Sequence, residues 1–341
     1  MQIEVIRTAA ELQALAAEWN ALLAESACNY PFLRHEYLTA WQQTRGGGEW
    51  PQLQLFTLIA RRPDRSLAGI APLFFTDHPA GTPALMLLGS INVSDYLDFI
   101  TRPADLPAFI QAVVAFLAAA PEPAWKTLDL YNLLENSPSL PLLTTEAEAC
   151  GWHVSQMRMQ PCPYVPLPGD WEAYLGTLKK KQRHEIRRKL RRAETHPEPV
   201  RWYIFDQPAD LDREIEAFHT LMTNDPDKDR FLTPAMRAQS AAAMRAAWEH
   251  GWLQLAFLEV GEKKAAAYLN LDYGGQILVY NSGHDLDFGE LSPGWVLLAH
   301  LLQWANENGR TMLDFMRGAE DYKYRFGAVD RFITRLTITR A

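Results

Sequence analysis

The sequence lacks the patterns that mark metalloproteins and disulfide-bonded proteins. Its three cysteines, Cys28, Cys150 and Cys162, are widely separated and form no Cys-x-x-Cys pair, so neither a disulfide framework nor a zinc site is predicted. Its nine histidines include no His-Glu-x-x-His motif, and none is followed four or five residues later by Asp. This excludes zincin metalloproteases and the acyltransferases that use a His-Asp motif. We expect no metal.

Signals for secretion or membrane insertion are also missing. Residues 1–20 have no basic start that leads into a continuous apolar run, and they favour a short strand followed by an amphipathic helix. No stretch approaches the roughly 18 uninterrupted apolar residues that a membrane-spanning helix needs. The sequence therefore predicts a cytoplasmic protein.

The length of the chain predicts two lobes. At 341 residues it exceeds what one hydrophobic core commonly serves, because domains run to roughly 100–200 residues. Proline is concentrated at 161–168, PCPYVPLP, where it fixes extended backbone and removes sheet donors. We predict the boundary there, with an N-terminal lobe over 1–165 and a C-terminal lobe over 166–341.

The two halves repeat one another in outline. Residues 127–135 read TLDLYNLLE and residues 312–320 read MLDFMRGAE, and each strand-like segment follows an amphipathic helix. Asp129 and Asp314 therefore fall at equivalent positions. In the second half, apolar runs with turns at Gly261 and at 274–275 predict consecutive hairpins before that helix and strand. The pattern predicts a mixed α/β (α+β) fold built twice, each copy a mostly antiparallel mixed sheet flanked by helices.

Five segments, taken in order, resemble a known family. They are PFLRHEYLTAW at 31–41, LAGIAPLFF at 67–75, VSDYLDF at 93–99, LKKKQRHEIRRKLRRAE at 178–194, and LSPGWVLLAHLLQWANENGRTMLDFMRGAEDYKYRFG at 291–327. Together they resemble the acetyltransferase-like proteins of the cellulose-biosynthesis type. These are relatives of the Fem peptidyltransferases and carry two fused acyl-CoA N-acyltransferase (GNAT) folds.

The resemblance implies transfer of an acyl group from acetyl-CoA, or another acyl-CoA, to an amine or hydroxyl acceptor, with a saccharide-linked acceptor in exopolysaccharide synthesis. Its Fem branch implies an alternative donor, aminoacyl-tRNA, with lipid-linked acceptors. The Gln/Arg-x-x-Gly-x-Gly/Ala loop that often holds the CoA pyrophosphate is missing, and only Leu-Ser-Pro-Gly stands at 291–294. The absence of this loop favours a third hypothesis, in which the protein is a non-catalytic scaffold with the same fold.

The Ser-Pro-Gly sequence at 292–294 opens a helix directly after a strand. A serine can cap the helix, proline suits its first turn, and glycine allows close backbone approach to a ligand. Free amide donors and the helix dipole then attract phosphate, although ordinary capped helices share this sequence. The candidate donor-binding residues are Tyr280, Ser282, Ser292, Gly294 and Trp295.

The candidate catalytic residues follow the last predicted strand of the repeat, where ligands commonly bind in open α/β sheets. Amine acylation needs a base for the amine proton and an acid for the leaving thiolate. Tyr322 is the candidate acid, and Asp314 or Glu320 is the candidate base. Lys323 could stabilise the oxyanion or hold a phosphate. The alternative is that these side chains serve turns and packing.

The candidate acceptor-binding residues of the first lobe are Asp95, Tyr96 and Asp98, in a predicted strand from Ser94. Alternation along that strand would put Tyr96 and Asp98 on one face and Asp95 on the other. Two carboxylates near an aromatic ring could hold a cationic acceptor. A charged, solvated edge strand would explain them as well.

A basic helix is the clearest electrostatic feature. The segment from Lys179 to Arg192 holds nine of the 33 Lys and Arg residues and one acid, Glu185, in a chain of net charge −8. Its exposed face fits the CoA phosphates, an anionic membrane surface or tRNA, and Arg187 is the candidate contact. The acidic net charge disfavours nucleic acid as the main substrate. Pairing with acids of the same protein is the alternative.

Overall fold

The structure is a computed structural model that describes residues 1–78, 81–120 and 122–340. These residues form two compact units. Unit 1 comprises Met1–Gln160 and Phe332–Ala341, and unit 2 comprises Pro161–Arg331. Among the described residues, no helix has both the length and the apolarity to cross a lipid bilayer.

Unit 1 contains two sheets and five α-helices. The strands are β1 (Gln2–Ile6), β2 (Gln54–Leu55), β3 (Thr57–Arg61), β4 (Leu67–Ala71), β5 (Leu73–Asp77), β6 (Pro83–Leu87), β7 (Ile100–Thr101), β8 (Thr127–Leu134), β9 (His153–Pro161) and the final strand, β16 (Phe332–Thr339). The helices are α1 (Ala9–Ala14), α2 (Ala16–Ala24), α3 (His35–Gln43), α4 (Leu106–Ala119) and α5 (Ser139–Ala149). The sheet orders are β1-β3-β4-β7 and β2-β5-β6-β8-β16-β9.

Unit 2 is built on one six-stranded sheet of order β10-β15-β14-β13-β12-β11. Its strands are β10 (Tyr164–Pro166), β11 (Val200–Ile204), β12 (Leu253–Val260), β13 (Lys263–Tyr273), β14 (Gln276–His284) and β15 (Met312–Asp314). Its helices are α6 (Trp171–Thr177), α7 (Lys180–Glu194), α8 (Leu211–Met222), α9 (Pro226–Phe231), α10 (Pro234–Glu249), α11 (Pro293–Glu307) and α12 (Asp321–Arg325). The predicted hairpins form, because the glycines at 261, 274 and 275 supply the positive φ of their turns.

The interior of unit 2 consists of two clusters of apolar residues, one on each face of this sheet. One lies against α7 and α11 and includes Ile186, Tyr268 and Leu298. The other lies against α8 and α10 and includes Phe218 and Met244. Each helix buries an apolar stripe on the sheet, as expected for amphipathic helices in a layered α/β domain.

The unit boundary lies five residues before the predicted one, at 160/161, within the start of the proline-rich segment. The second difference is larger. Residues 332–341, which we predicted in the C-terminal lobe, belong to unit 1, because β16 pairs antiparallel with β8 in the sheet of that unit. Their apolar alternation shows that they form a strand but carries no information on which sheet accepts it.

The internal repeat is visible in the strand register. In unit 1, β6 and β8 pair in parallel, and the last paired residue of β8 is Asp129. In unit 2, β14 and β15 pair in parallel over three residues in the same way, and the last paired residue of β15 is Asp314. Both carboxylates are fully buried, and each pairs with an arginine, Arg335 in unit 1 and Arg331 in unit 2. The predicted equivalence of the two aspartates is confirmed.

The strand predicted from Ser94 to Asp98 is wrong. Residues 93–99 form an irregular buried segment in which Tyr96 has a φ of 54°, outside the extended region. Side chains replace strand partners there: the Asn132 amide donates to the carbonyls of Ile91 and Ser94, both at 2.8 Å, and the Tyr37 hydroxyl donates to Val93 at 2.6 Å. Both donors lie far away in the sequence, so local alternation could not reveal them.

Gly283 lies where α8 packs closely on β14. A Cβ atom at this position would lie 2.4 Å from the backbone of Leu221 and Met222, so we expect Gly283→Ala to destabilise unit 2 by about 1–3 kcal/mol. Gly176 is the matched control, since a Cβ there meets nothing within 4 Å and alanine favours α6 by up to about 1 kcal/mol. Urea denaturation of both variants measures the difference. Equal midpoints would contradict the close packing.

Candidate functional site

The central feature of unit 2 is a separation between two parallel strands. Hydrogen bonding between β14 and β15 ends at Leu278 and Asp314, yet β14 continues to His284. No other strand among the described residues pairs with this side of 279–284. On the opposite side β14 stays paired with β13, with a bulge at Tyr280. Beyond Leu278 β15 therefore gives β14 no partner, and at Ser282 side chains bond the backbone instead: the Asn281 side chain accepts the Ser282 amide at 2.8 Å and Lys228 donates to the Ser282 carbonyl at 2.5 Å.

The chain after each separated strand adopts a strained conformation. Ser292 and Met316, both with φ of 56°, are the non-glycine residues in the described part of unit 2 that have positive φ. Such conformations cost of order 1–3 kcal/mol and cluster at functional sites. Ser292 makes no side-chain cap, contrary to our expectation, because its left-handed backbone directs the chain into α11 differently from an extended cap residue.

The first turn of α11 faces open space. Pro293 is its first residue, and a Cβ atom on Gly294 would meet nothing within 4 Å. Trp295 packs its ring on Phe326 with the centroids 4.6 Å apart. Pro293 has no amide hydrogen, and the Trp295 and Val296 amides donate to the Ser292 carbonyl at 3.0 and 3.1 Å, so Gly294 supplies the one amide of this turn that has no described acceptor. The helix dipole adds partial positive charge there. The predicted donor-binding residues Ser292, Gly294 and Trp295 thus lie together.

The basic helix α7 packs beside this turn. The Lys189 ammonium lies 4.3 Å from the centre of the Trp295 ring, and Arg192 reaches Glu290 at 3.4 Å. Burial lowers the pKa of Lys189, and this effect is larger than the opposite effect of the nearby Glu185, which raises the pKa. Arg325 contributes further positive potential at Lys189. Positive charge from α7 and α12 therefore surrounds the start of α11.

Internal ion pairs account for part of the charge on α7. Arg187 pairs with Glu172 of α6, and Glu185 accepts ion pairs from Arg188 and Lys189. The other cations of the segment have no ion pair within the described ranges: Lys179, Lys180, Lys181, Arg183 and Arg191. Internal pairing therefore holds for part of the helix, and binding of an anionic partner stays a prediction. Arg187, the predicted contact, faces α6 and does not join the cluster at α11.

Lys323 organises the loop that follows β15. Its side chain is 3% exposed, and its ammonium donates to the carbonyls of Arg317 and Gly318, both at 3.0 Å, and pairs with Glu320 at 2.8 Å. These three partners use all three ammonium protons. Lys323 is therefore committed to the loop, and the oxyanion role that we considered for it has no proton left.

Asp314 is also structural in this arrangement. It is fully buried, one carboxylate oxygen accepts the Met316 amide at 2.9 Å, and the other pairs with Arg331. A base must reach the proton that it removes, and this carboxylate holds the end of β15 instead. Glu320, which is 57% exposed at the start of α12, is the remaining candidate base.

Tyr322, the candidate acid, keeps a hydroxyl that has no partner among the described residues. Its ring contacts Phe315 edge to face at 5.8 Å, and its hydroxyl donates no hydrogen bond to any described residue. Burial, with a smaller contribution from Glu320, raises the pKa of Tyr322 well above the ordinary value. The hydroxyl therefore keeps its proton at neutral pH. Phe326, the residue after α12, contacts Trp295, and Tyr322 and Trp295 both pack against the apolar cluster that contains Phe326.

Two residues of this site were not predicted. The buried Tyr268 hydroxyl bonds the Ser282 side chain and lies within electrostatic range of Tyr322. Lys228 of α9 donates to the Ser282 carbonyl at 2.5 Å, and burial lowers its pKa. Alternation along β13 could have indicated Tyr268, whereas Lys228 depends on how α9 packs on β14. Ser282, a predicted donor-binding residue, thus contacts both Tyr268 and Lys228. Tyr280, the other predicted donor-binding residue on β14, packs its ring against the apolar cluster under α8.

The acceptor candidates of unit 1 are buried. Tyr96 and Asp98 line a pocket in that unit, and Asp95 is buried outside it. The equivalent helix start in unit 1 differs from that of α11, because the residue before α4 is Asp105, which pairs with Arg62 at 2.5 Å. A carboxylate there repels phosphate. No group of three or more His, Cys, Asp or Glu residues in the described ranges is arranged to hold a metal ion.

Comparison with known proteins identifies the fold. Residues 180–324 match the family model described as "Acetyltransferase (GNAT) domain". No curated protein sequence matches the chain. The match spans α7, the separated strands and Tyr322, so the site described above falls inside the matched segment.

Solved structures resemble the chain over nearly its whole length. FemX is 11% identical, with a TM-score of 0.69 over 98% of this chain and 97% of its own. L-PGS from Bacillus licheniformis is 13% identical, with a TM-score of 0.56 over 95% and 91%. A tandem GNAT protein from the clavulanic acid biosynthesis pathway is 13% identical, with a TM-score of 0.50 over 100% and 99%. The chain has the predicted fold, a tandem pair of mixed GNAT-type α/β units.

Proposed function

We propose that unit 2 transfers an acyl group from an acyl-CoA thioester, acetyl-CoA in the simplest case, to an amine or hydroxyl acceptor. The observation that carries the proposal is the separation of β14 from β15 beside Tyr322. An extended thioester arm can pair with β14 before Ser282, along the edge that β15 leaves after Leu278, as a strand would. A GNAT-type domain over 180–324 supports the same chemistry.

The phosphates of the donor fit the first turn of α11. The Gly294 amide, the open space beside it and the cations Lys189 and Arg192 together favour an anion there. The missing glycine-rich loop does not exclude this mode, because the Gly294 amide and the dipole of α11 remain at the helix start. The contrast with α4, where Asp105 occupies the helix start, favours unit 2 as the donor-binding unit.

The transfer is a direct attack. The acceptor nitrogen or oxygen forms a bond to the acyl carbon, the carbon–sulfur bond breaks, and the acceptor loses one proton while the thiolate gains one. Tyr322 supplies the proton to the sulfur. Glu320 accepts the proton of the acceptor and regenerates Tyr322 through solvent. No covalent enzyme intermediate is needed, since no activated nucleophile pair faces the described site.

The acceptor is proposed from the resemblance alone to be saccharide-linked, as in exopolysaccharide synthesis. An aminoacyl-tRNA donor is the second candidate function. The cations of α7 that lack ion pairs and the likeness to FemX over 98% of this chain favour it. Five unpaired cations would give a steep salt dependence of tRNA binding.

Calorimetric titrations with acetyl-CoA and with aminoacyl-tRNA distinguish these functions. We expect micromolar acetyl-CoA binding that also raises the melting temperature, because a ligand of the folded state stabilises it. Salt-sensitive tRNA binding without acetyl-CoA binding would favour the second function. If neither ligand binds, the chain is a scaffold with an acyltransferase fold.

A further inference from the structure

A small pocket opens in unit 1 at the end of β8, with a volume of about 100 Å³. Its polar lining comes from three separate segments: the residues after α2, the irregular segment after β6, and the turn that leads into α5. The residues that matter for its chemistry are Cys28, Tyr30, Tyr96, Asp98, Asn136 and Ser137. The volume exceeds the roughly 10–15 Å³ that one water requires, and it suits a group of a few heavy atoms.

Asp98 forms the buried end of this pocket and is 3% exposed. One carboxylate oxygen accepts the Cys28 thiol at 3.0 Å and the Ser137 hydroxyl at 2.5 Å, and the other accepts the Phe99 amide at 2.7 Å. These three donors are neutral, and so is the Ser139 hydroxyl, whose hydrogen bond also lowers the pKa of Asp98. No cationic side chain within 1–78, 81–120 and 122–340 forms an ion pair with it, in contrast to Asp129 in the same unit.

A buried carboxylate with neutral donors alone carries an uncompensated charge. Burial raises the pKa of Asp98 above the ordinary aspartate value, against the hydrogen bonds from Cys28 and Ser137, which lower it. Burial, and then Asp98 itself, raise the pKa of the Cys28 thiol, so Cys28 remains a donor and does not supply a nucleophile. The Asp98 carboxylate is therefore neutralised either by taking up a proton or by binding a cationic ligand.

The aromatic lining fits a cation as well. The rings of Tyr30 and Tyr96 lie 4.9 Å apart at a tilt of 52° and both border the pocket. The faces of such rings attract ammonium groups. Asn136 is exposed and adds a carbonyl acceptor at the entrance.

We propose that the pocket of unit 1 binds a small organic cation, a primary ammonium group on a short aliphatic stem, with Asp98 as its counter-ion and the two tyrosine rings at its sides. The assignment is independent of acyl transfer in unit 2, since it uses neither the donor residues nor Tyr322. It also explains why this aspartate has no arginine partner, whereas Asp129 has Arg335.

Three probes of matched size test the charge preference: ethanolamine, ethylene glycol and glycolate. Ligand-observed NMR on the full chain at constant potassium chloride measures their affinities. We expect ethanolamine to bind at least about tenfold more tightly than ethylene glycol, which equals about 1.4 kcal/mol, and glycolate not to bind. Equal binding of the three probes, or no binding of ethanolamine, would overturn the proposal.

Two variants locate the binding. Asp98→Asn removes the charge with little change in shape, and we expect at least a tenfold loss of ethanolamine affinity. Asp64→Asn, in an exposed turn of the same unit, is the matched control. If Asp98→Asn fails to fold, Asn136→Trp serves instead, because the indole covers the entrance from an exposed position. Ethanolamine affinity unchanged in the folded variant would show that the cation binds elsewhere.

Discussion

Replacement of Tyr322 by phenylalanine is expected to lower kcat for acyl transfer by about 10²-fold or more, the usual contribution of a positioned general acid. The change removes the one group that we assign to protonation of the thiolate. The KM for the acyl donor should change little, since the hydroxyl bonds no described residue and the ring remains against Phe315. For the same reason, the free energy of unfolding should stay within about 0.5 kcal/mol of the wild type.

The matched control lies two residues further along the same helix. The Tyr324 hydroxyl donates to Asp330 at 2.8 Å on an exposed surface, so Tyr324→Phe should leave kcat unchanged. Single-turnover measurement separates the chemical step from product release. A Tyr322→Phe enzyme with the wild-type rate of acyl transfer would remove Tyr322 from the mechanism and leave solvent as the acid.

Replacement of Gly294 by glutamate is expected to weaken acyl-CoA binding by about 10- to 100-fold, because a charge-assisted hydrogen bond is worth about 1.5–3 kcal/mol. The side chain enters open space, so the fold accepts it. A carboxylate in the first turn of α11 then occupies the position that we assign to phosphate. The same carboxylate favours the helix dipole, so the melting temperature should not fall.

Gly294→Gln separates charge from size. The glutamine has the same length without the charge, so its loss of affinity should be clearly smaller than that of the glutamate variant. Calorimetric titration of both variants with acetyl-CoA gives the comparison. Identical affinities of wild type and Gly294→Glu would mean that the donor phosphates bind away from α11.

The parts of the fold that local sequence specifies could be predicted. Helix α11 has its proline at the start and an apolar stripe along its length, and Gly261 and Gly274 mark turns that need positive φ. The equivalence of Asp129 and Asp314 followed from their positions in two similar strands. Each of these features is determined by residues within one turn or one hairpin of each other.

The predictions that failed depend on contacts that residue type and spacing do not reveal. Asp314 and Lys323 are the residue types that catalysis uses, but Arg331 and the carbonyls of a loop occupy them. The segment around Tyr96 alternates like a strand, yet the side chain of Asn132 holds it in another conformation. Lys228 reaches Ser282 only because α9 packs on β14. Sequence spacing contains none of these contacts.

The return of β16 to the first unit has a consequence for biosynthesis. This strand lies between β8 and β9, so the sheet lacks an interior member until the ribosome has synthesised all of 161–331. The later, contiguous segment can mature first, which reverses the usual order from the N-terminus. Until translation passes Phe332, the nascent chain exposes an unpaired edge on β8, the kind of surface that chaperones protect.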